Sequence, residues 1–231
     1  MIQHNFYGNE VAVIPDNVNL AVSKYSTDDI FSGVSSTASW LPRLQLFTAS
    51  NKEAKQSKIP INHYGLSTGK DLIDLGESVE CLPVAWRPKA MLFGQTDKKV
   101  ISKYNPADPE FKRIQTLAET PNLGAMFGPE FLVWVPAAGK WATLFMASKS
   151  ARREAPNIKD ALDHRRAVTM DSHFIDTGKY QWQAPLVKGC STPFEIPSAD
   201  EIVEQVERFN KPPESQIEEV EEEVPTNGRA R

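Results

Sequence analysis

The sequence predicts a mainly β fold with a few helices at its periphery (α+β), arranged as a partly open barrel or a strongly curved sheet. Apolar runs of strand length recur along the chain, and the clearest two, Glu130–Val135 and Trp141–Ala147, are separated only by residues 136–140. Most of the 17 prolines lie beside such runs, where they end strands and fix loops. Helical periodicity is confined to short segments.

The first convincing strand is Trp40–Thr48. Residues 1–39 before it read as an irregular lead-in with one short apolar run, Val11–Ile14. Strand alternation within 40–48 predicts one face that enters the core and a second face that offers a cation, an amide and an aromatic ring. The core face would carry Trp40, Pro42, Leu44 and Leu46, and the second face Leu41, Arg43, Gln45 and Phe47.

The middle of the chain predicts a basic loop, a turn and a long strand. Residues 49–58 carry Lys52, Lys55 and Lys58 without apolar periodicity, which is typical of an exposed loop. The stretch Gly65–Gly69 reads as a strand-connecting turn. Val79–Leu92 then predicts a strand interrupted at its prolines, so that it is an edge strand, is bulged, or is broken into two.

The second half alternates short helices and hairpins. Asp108–Thr120 predicts a helix with Pro109 in its first turn, and the 130–147 hairpin should be central to the core because both arms are almost wholly apolar. Pro156 should divide the basic segment Lys149–Arg166, with a helix over Asn157–Ala167 capped by Asn157. Further strands are expected over Val168–Ile175 and Tyr180–Val187, and a helix capped by Ser198 through Phe209.

These elements predict three regions. Residues 1–194 form a β-rich binding domain, residues 195–210 an amphipathic helix, and residues 211–231 a disordered acidic tail, since a proline- and glutamate-rich segment buries too little to offset the entropy of ordering.

Charge divides along the same boundary. Residues 1–194 hold 22 Lys and Arg against 19 Asp and Glu, a net charge of +3, whereas residues 195–223 hold 11 acids against two bases, a net charge of −9. A mildly basic body followed by an acidic tail is typical of proteins that handle nucleic acid.

The sequence gives no sign of catalysis, a cofactor, a metal or a membrane. Gly65–Asp71 differs from a phosphate-binding loop because three residues separate its glycines and Asp71 stands where a hydroxyl would hold magnesium. The four histidines lack metal-ligand spacing, and Cys81 and Cys190 read as plain thiols. We therefore expect a cytoplasmic protein, in the host cytoplasm if phage-encoded, that is not an enzyme and needs no cofactor.

Basic residues interleaved with aromatic ones are the positive signal. Single-stranded nucleic acid is bound by cations that follow the phosphates and by rings on which bases stack. The candidate binding residues are Trp40, Arg43, Phe47, Lys52, Lys55, Trp86, Arg87, Lys89, Lys149, Arg152, Arg153, Arg165 and Arg166. Lys179, Tyr180 and Trp182 form a further basic and aromatic group.

The chain resembles phage-type single-stranded DNA-binding proteins with an OB-fold, in the runs LPRLQLFTAS at 41–50 and VECLPVAWRPKAML at 79–92 and in the turn from Gly65 to Gly69. The resemblance implies binding of single-stranded DNA without sequence specificity in replication or recombination, with no cofactor. We expect the strand to lie on a sheet face that carries Trp40, Arg43, Phe47, Trp86 and Arg87. The acidic tail would compete for that face or recruit replication or recombination proteins. The chain departs from the bacterial members at Asn227–Arg231, where they have an acidic tip closed by apolar residues.

Two alternatives stay open at this point. A virion or scaffold component would use its β-rich body for protein contacts, and a nuclease would use dispersed acids with a divalent metal.

Overall fold

The computed structural model describes residues 41–48, 59–67, 71–93, 100–120 and 123–211. Predictions for the lead-in, Trp40, Lys52, Lys55, Lys58 and the acidic tail lie outside these residues. The described part is mainly β, with a mixed sheet that does not close and three α-helices. The strands are β1 Arg43–Leu46, β2 Tyr64–Ser67, β3 Leu72–Gly76, β4 Val79–Phe93, β5 Val100–Lys103, β6 Ala125–Val135, β7 Lys140–Phe145, β8 Val168–Asp176 and β9 Gln181–Gly189; the helices are α1 Pro109–Leu117, α2 Lys149–Asp163 and α3 Ala199–Asn210.

The sheet is built around β4 and β6. Its order is β3-β2-β1-β7-β6-β4-β8-β9, and β5 pairs with the end of β4. All pairs are antiparallel except β1 with β7, which makes the sheet mixed. The predicted 130–147 hairpin is confirmed, with Trp134 opposite Trp141 and their ring centroids 5.4 Å apart.

Strand β4 runs unbroken through both of its prolines. Of the three outcomes predicted for this segment, the bulge is confirmed: the register shifts between Pro83 and Ala85. Pro88 lies opposite Pro129, so two residues without an amide N–H face each other across the ladder. The bulge and this facing pair let the strand stay continuous for 15 residues.

Helix α2 corrects the prediction that Pro156 divides the basic segment. The helix begins at Lys149, where the Ser148 hydroxyl accepts a hydrogen bond from the Ala151 amide, and it continues through Pro156. An interior proline destabilises a helix by about 3 kcal/mol. Burial of Ala151, Ala155 and Ile158 offsets this cost and holds the first turns in place. Helices α1 and α3 begin as predicted, after Asp108 and Ser198.

Strand β1 also corrects its prediction. Leu41, Leu44 and Phe47 are all buried, so burial does not follow the alternation expected over 40–48. The Phe47 ring packs against Gly65, where a Cβ atom would overlap it. Gly65 is therefore a strand glycine of β2 that makes room for a ring, and the prediction that the turn begins at Gly65 is wrong. The antiparallel strands β2 and β3 are joined through residues 68–71, of which 68–70 lie outside the described part.

The two faces of the sheet pack against different helices. One face of β4, β6 and β7 carries Val133, Ala142 and Leu144, which join Ala155 and Ile158 of α2 in one buried cluster. The opposite face carries Leu82, Leu132 and Trp141, which pack with Ile202, Val206 and Phe209 of α3. We call these the α2 face and the α3 face. Among the described helices, none is long and apolar enough to cross a membrane.

Candidate nucleic-acid interface

A cleft of about 500 Å³ opens on the α2 face, between α1 and α2. Its walls are mainly apolar and include four aromatic rings, and two cationic side chains, Arg152 and Lys159, contribute to its lining. The rings come from strands β4 and β6 and from α1: Trp86, Phe127, Phe131 and Phe111. The volume lies in the range of roughly 300–1,000 Å³ that is usual for ligand sites.

Small and ring-closed residues create the hollow. Pro88 and Pro129 form its floor as a facing cross-strand pair, and neighbouring Gly128 has no room for a side chain because a Cβ atom would overlap the Met146 carbonyl. On the helical side, Ala155 and Pro156 of α2 present short side chains. Long side chains at Pro88, Pro129, Ala155 or Pro156 would fill the space between the two helices, so the local sequence keeps the cleft open.

Trp86 contributes a ring and an unpaired donor to this site. Its side chain is half-buried against the core of the α2 face, and its indole Nε1 is buried with no hydrogen-bond partner in the described structure. A buried donor without a partner costs about 1–3 kcal/mol. No hydrogen bond in the described structure offsets the cost of burying this N–H group.

Arg152 is held in a fixed orientation at the cleft. Its guanidinium donates to the carbonyls of Phe127 (3.1 Å) and Ala147 (2.9 Å) and lies 4.2 Å from the centroid of the Phe127 ring. Glu119 lies 3.7 Å away, at the long end of the ion-pair range. The side chain thus keeps a positive charge beside an aromatic wall.

Arg87 and Lys89 lie on the other face. Successive residues of a strand point to opposite sides, so Arg87 projects to the α3 face when Trp86 lines the cleft. Both cations bind the buried Glu130, with N–O distances of 2.8 Å and 2.6 Å. The Arg87 guanidinium also lies between the rings of Tyr104 and Phe209, at 3.9 and 4.1 Å from their centroids, and it donates to the Phe209 carbonyl.

Glu130 is the anion that neutralises this pair. Burial would raise the pKa of Glu130, but the charges and hydrogen bonds of Lys89 and Arg87 outweigh that effect and hold the pKa below its usual value. Arg87 joins α3 to the sheet through Phe209, whereas Lys89 lies over the rings of Tyr104 and Phe145, and no open phosphate-binding surface is formed by these two cations.

The other predicted residues divide between the cleft helix and remote positions. Lys149 and Arg153 are exposed on the first turns of α2, the helix that supplies Arg152. Arg43 is exposed on β1, Phe47 is completely buried, Arg165 adopts a positive φ of 54° after α2, and Arg166 binds Asp160 at 3.0 Å. The structure corrects the expectation of one open face shared by Arg43, Phe47, Trp86 and Arg87. Trp86 projects from the α2 face and Arg87 from the α3 face, and Phe47 has no accessible surface.

Three rings and one lysine of the cleft were missed by sequence reasoning. Phe127 and Phe131 stand four residues apart in β6, so they share a face, and this spacing was the available signal. Phe111 is buried on α1, and Lys159 lies within the basic segment Lys149–Arg166 but was not among the candidate binding residues. Nothing in the sequence indicated that α1 and α2 would flank these strands.

The two cysteines behave as plain buried thiols. Burial raises the pKa of Cys81 to about 12 and also raises the pKa of Cys190, which keeps both protonated near neutral pH. In the described ranges no group of three His, Cys, Asp or Glu side chains is arranged to hold a metal. No protein family, curated protein sequence or solved structure matches the chain.

Proposed function

We propose that this protein binds single-stranded DNA without sequence specificity, in replication or recombination, and that the cleft between α1 and α2 receives the bases. The observation that carries the proposal is the combination of the half-buried rings of Trp86 and Phe127 with Arg152 and Lys159 in one open hollow. An OB-like, partly open barrel is the finer fold prediction that accompanies it, and the open, mainly β sheet is compatible with that class.

Base stacking would supply much of the affinity. A base bound in the cleft meets the half-buried rings of Trp86 and Phe127, and each stacked base contributes roughly 1–3 kcal/mol in proteins of this kind. Because every base has a π face, such a site binds many sequences.

Cationic side chains of α2 would bind the phosphates. Lys149 and Arg153 are exposed on its first turns, Arg152 lies in the cleft wall, and Lys159 follows two turns later on the same helix. Lys159 also pairs with Asp163 at 2.6 Å, but both side chains are about half exposed, so this ion pair is weak and a phosphate can compete with it. The four cations thus line one helix beside the bases.

The acidic C-terminal segment would modulate this site. Its glutamates resemble a run of phosphates in charge, so we expect it to compete for the cations of α2 or to bind basic surfaces of partner proteins, with an effect that salt screens.

A cleft-blocking variant tests the proposal. Gln115 is exposed on α1 and lines the cleft, so Gln115→Trp should narrow it and weaken binding of a labelled oligo-dT about tenfold or more in fluorescence anisotropy at low salt. The matched control is Thr116→Trp, the next exposed residue of α1, which does not line the cleft. Equal affinity of the two variants would refute the cleft as the binding site.

A charge variant tests the helix. Arg153→Gln should weaken binding and flatten the dependence of log affinity on log salt by about 0.7, the contribution of one phosphate contact on a single strand. Lys140→Gln is the control, because Lys140 is exposed at the far end of the β6–β7 hairpin, opposite Val135. Equal losses in both variants would indicate a general charge effect and no defined phosphate path. Gel shifts with duplex DNA and RNA complete the comparison.

A further inference from the structure

The tip of the β8–β9 hairpin extends beyond the sheet. β8 pairs with β4 only through Val168–Met170, whereas β8 and β9 pair with each other along their whole length. The chain reverses through Gly178, with a φ of 76°, and Lys179, and the Thr177 amide donates to the Tyr180 carbonyl at 3.0 Å. A glycine in the first position of a two-residue loop forms a tight reversal. The tip is therefore an ordered hairpin end with solvent around it.

Large aromatic side chains are exposed on this tip. Phe174, Tyr180 and Trp182 have 57%, 62% and 38% of their surface accessible. Tyr180 and Trp182 are two residues apart and share one face of the ribbon, whereas Phe174 lies opposite Gln183 and points to the other face. We call Tyr180 and Trp182 the ring pair.

We infer that the ring pair is a second contact for single-stranded nucleic acid, an inference that rests on the proposed function. Two residues of a strand advance by about 6.6–6.8 Å. Bases stacked along one strand are about 3.4 Å apart, so a ring inserted between two bases opens their spacing to about 6.8 Å. The spacing of Tyr180 and Trp182 along the chain therefore matches a nucleic-acid strand in which one base is stacked between the two rings.

The charges at the tip favour the same occupant. Lys179 lies 5.3 Å from the Tyr180 ring centroid, where its ammonium group can reach a phosphate of a base stacked on that ring. The carboxylate of Asp176 already accepts from the Gly178 amide at 2.6 Å and from the Gln181 side chain at 2.8 Å, so this acid belongs to the turn.

The ring pair is too small for a stable contact with a second copy of the chain. Aromatic side chains bury about 150–250 Å² each, so two rings supply about 300–500 Å², whereas a specific protein interface buries about 800 Å² on each partner. Phe174 cannot add to the same patch because it projects from the other face.

The ring pair and the cleft lie on opposite faces. Val187 of β9 belongs to the core of the α2 face, and Trp182, five residues earlier, points the other way. We therefore expect the two contacts to engage different stretches of a long strand, so that each can be removed while the other remains.

Binding of a labelled oligo-dT of about 30 nucleotides by the full chain tests this inference. Tyr180→Ala with Trp182→Ala should weaken binding about 25-fold or more, since loss of each stacked base costs at least about fivefold. Tyr180→Phe with Trp182→Phe should retain the affinity because the rings remain. Phe174→Ala, an equally exposed ring on the other face, is the control and should stay within about twofold of the unmodified chain.

Three results would overturn the inference. The first is that the unmodified chain binds oligo-dT and the double alanine variant binds it with the same affinity. This result would contradict the ring pair but not the proposed binding at the cleft. The second is an equal loss in Phe174→Ala. The third is a self-association of the unmodified chain, seen by sedimentation, that the double alanine variant abolishes, because the rings would then serve a protein contact. If the unmodified chain binds no oligonucleotide, both the ring pair and the proposed function fail.

Discussion

Glu130 determines the role of Arg87 and Lys89. A buried carboxylate binds both cations and makes them part of the protein's packing, and Arg87 also contacts Phe209 of α3. Sequence reasoning saw two cations beside a tryptophan, which is a nucleic-acid pattern, and it had no means to see that Glu130 would stand opposite Arg87 on β6. Side-chain partners across strands depend on register, and register was not predicted for this pair.

Removal of the Glu130 charge should destabilise the fold. Glu130→Gln leaves two cations without a buried anion, so we expect a loss of about 3–5 kcal/mol in the free energy of unfolding at pH 7, measured by urea denaturation. Glu204→Gln, at an exposed position of α3, is the control and should change stability by less than about 0.5 kcal/mol.

The same pair of proteins should respond differently to acid. The folded pKa of Glu130 is below its ordinary value of 4.5, so its contribution to stability is complete above that pH and is lost as the pH falls through the folded pKa. The stability gap between the unmodified chain and Glu130→Gln should therefore be constant from pH 7 to about 5 and narrow below 4.5. A gap that does not narrow on acidification would contradict the ionised, paired state of Glu130.

The close contact between Gly65 and the Phe47 ring predicts that a larger residue at position 65 destabilises the fold. A Cβ atom at this position would overlap the Phe47 ring and approach the Ile73 carbonyl, so Gly65→Ala should destabilise the protein by about 1–3 kcal/mol. Gly189→Ala is the control in another strand, because no atom lies within 4 Å of the added methyl group. Thermal unfolding of both variants measures the difference, and a Gly65→Ala protein as stable as Gly189→Ala would contradict the packing of Phe47.

At the level of elements, hairpins and helix starts were predictable where local signals agreed. The 130–147 hairpin combined apolar arms with a short loop, and α1 and α3 each began after a capping side chain. Helix α2 was misplaced because two local rules, an interior proline and an asparagine after it, favoured a start at Asn157. The buried contacts of Ala151 and Ala155 decided otherwise, and tertiary contacts of this kind are not visible in a local pattern.

The true start of α2 can be tested by its cap. Ser148→Ala removes the hydroxyl that accepts from the Ala151 amide and should cost about 1 kcal/mol. Asn157→Ala should be nearly neutral, since its exposed side chain bonds only Glu154 among the described contacts. Urea denaturation measures the free energy of unfolding of both variants. If the helix began at Asn157, Asn157→Ala would destabilise the protein more than Ser148→Ala.

The molecule as a whole combines a body with a cleft and a strongly acidic C-terminal segment. Residues 212–231 hold six glutamates and two arginines, so their deletion changes the formal net charge from −4 to 0. If this segment competes with phosphates, the shortened chain should bind oligo-dT several-fold more tightly at low salt, with little difference at high salt. Anisotropy titrations of both proteins at two salt concentrations measure this difference. Equal affinities of the full and shortened chains would contradict the competition by the acidic segment, but not the proposal of DNA binding.

The candidate site was only partly predictable at this scale. Trp86 and Arg152 were both chosen from their residue types, but the cleft that joins them exists because α1 and α2 flank a floor of Pro88 and Pro129. That arrangement depends on the order of strands and the placement of helices, which a single sequence does not encode in any local pattern.

Tryptophan fluorescence during titration with a short oligo-dT tests binding at the cleft most directly. The account predicts saturable quenching at low salt that weakens as salt rises from about 50 to 200 mM. When Trp182→Phe is present in both proteins, so that the ring pair adds nothing to the signal, Trp86→Phe should remove most of the quenching. Absence of quenching by the unmodified chain at low salt, or full quenching with unchanged affinity in Trp86→Phe, would contradict it.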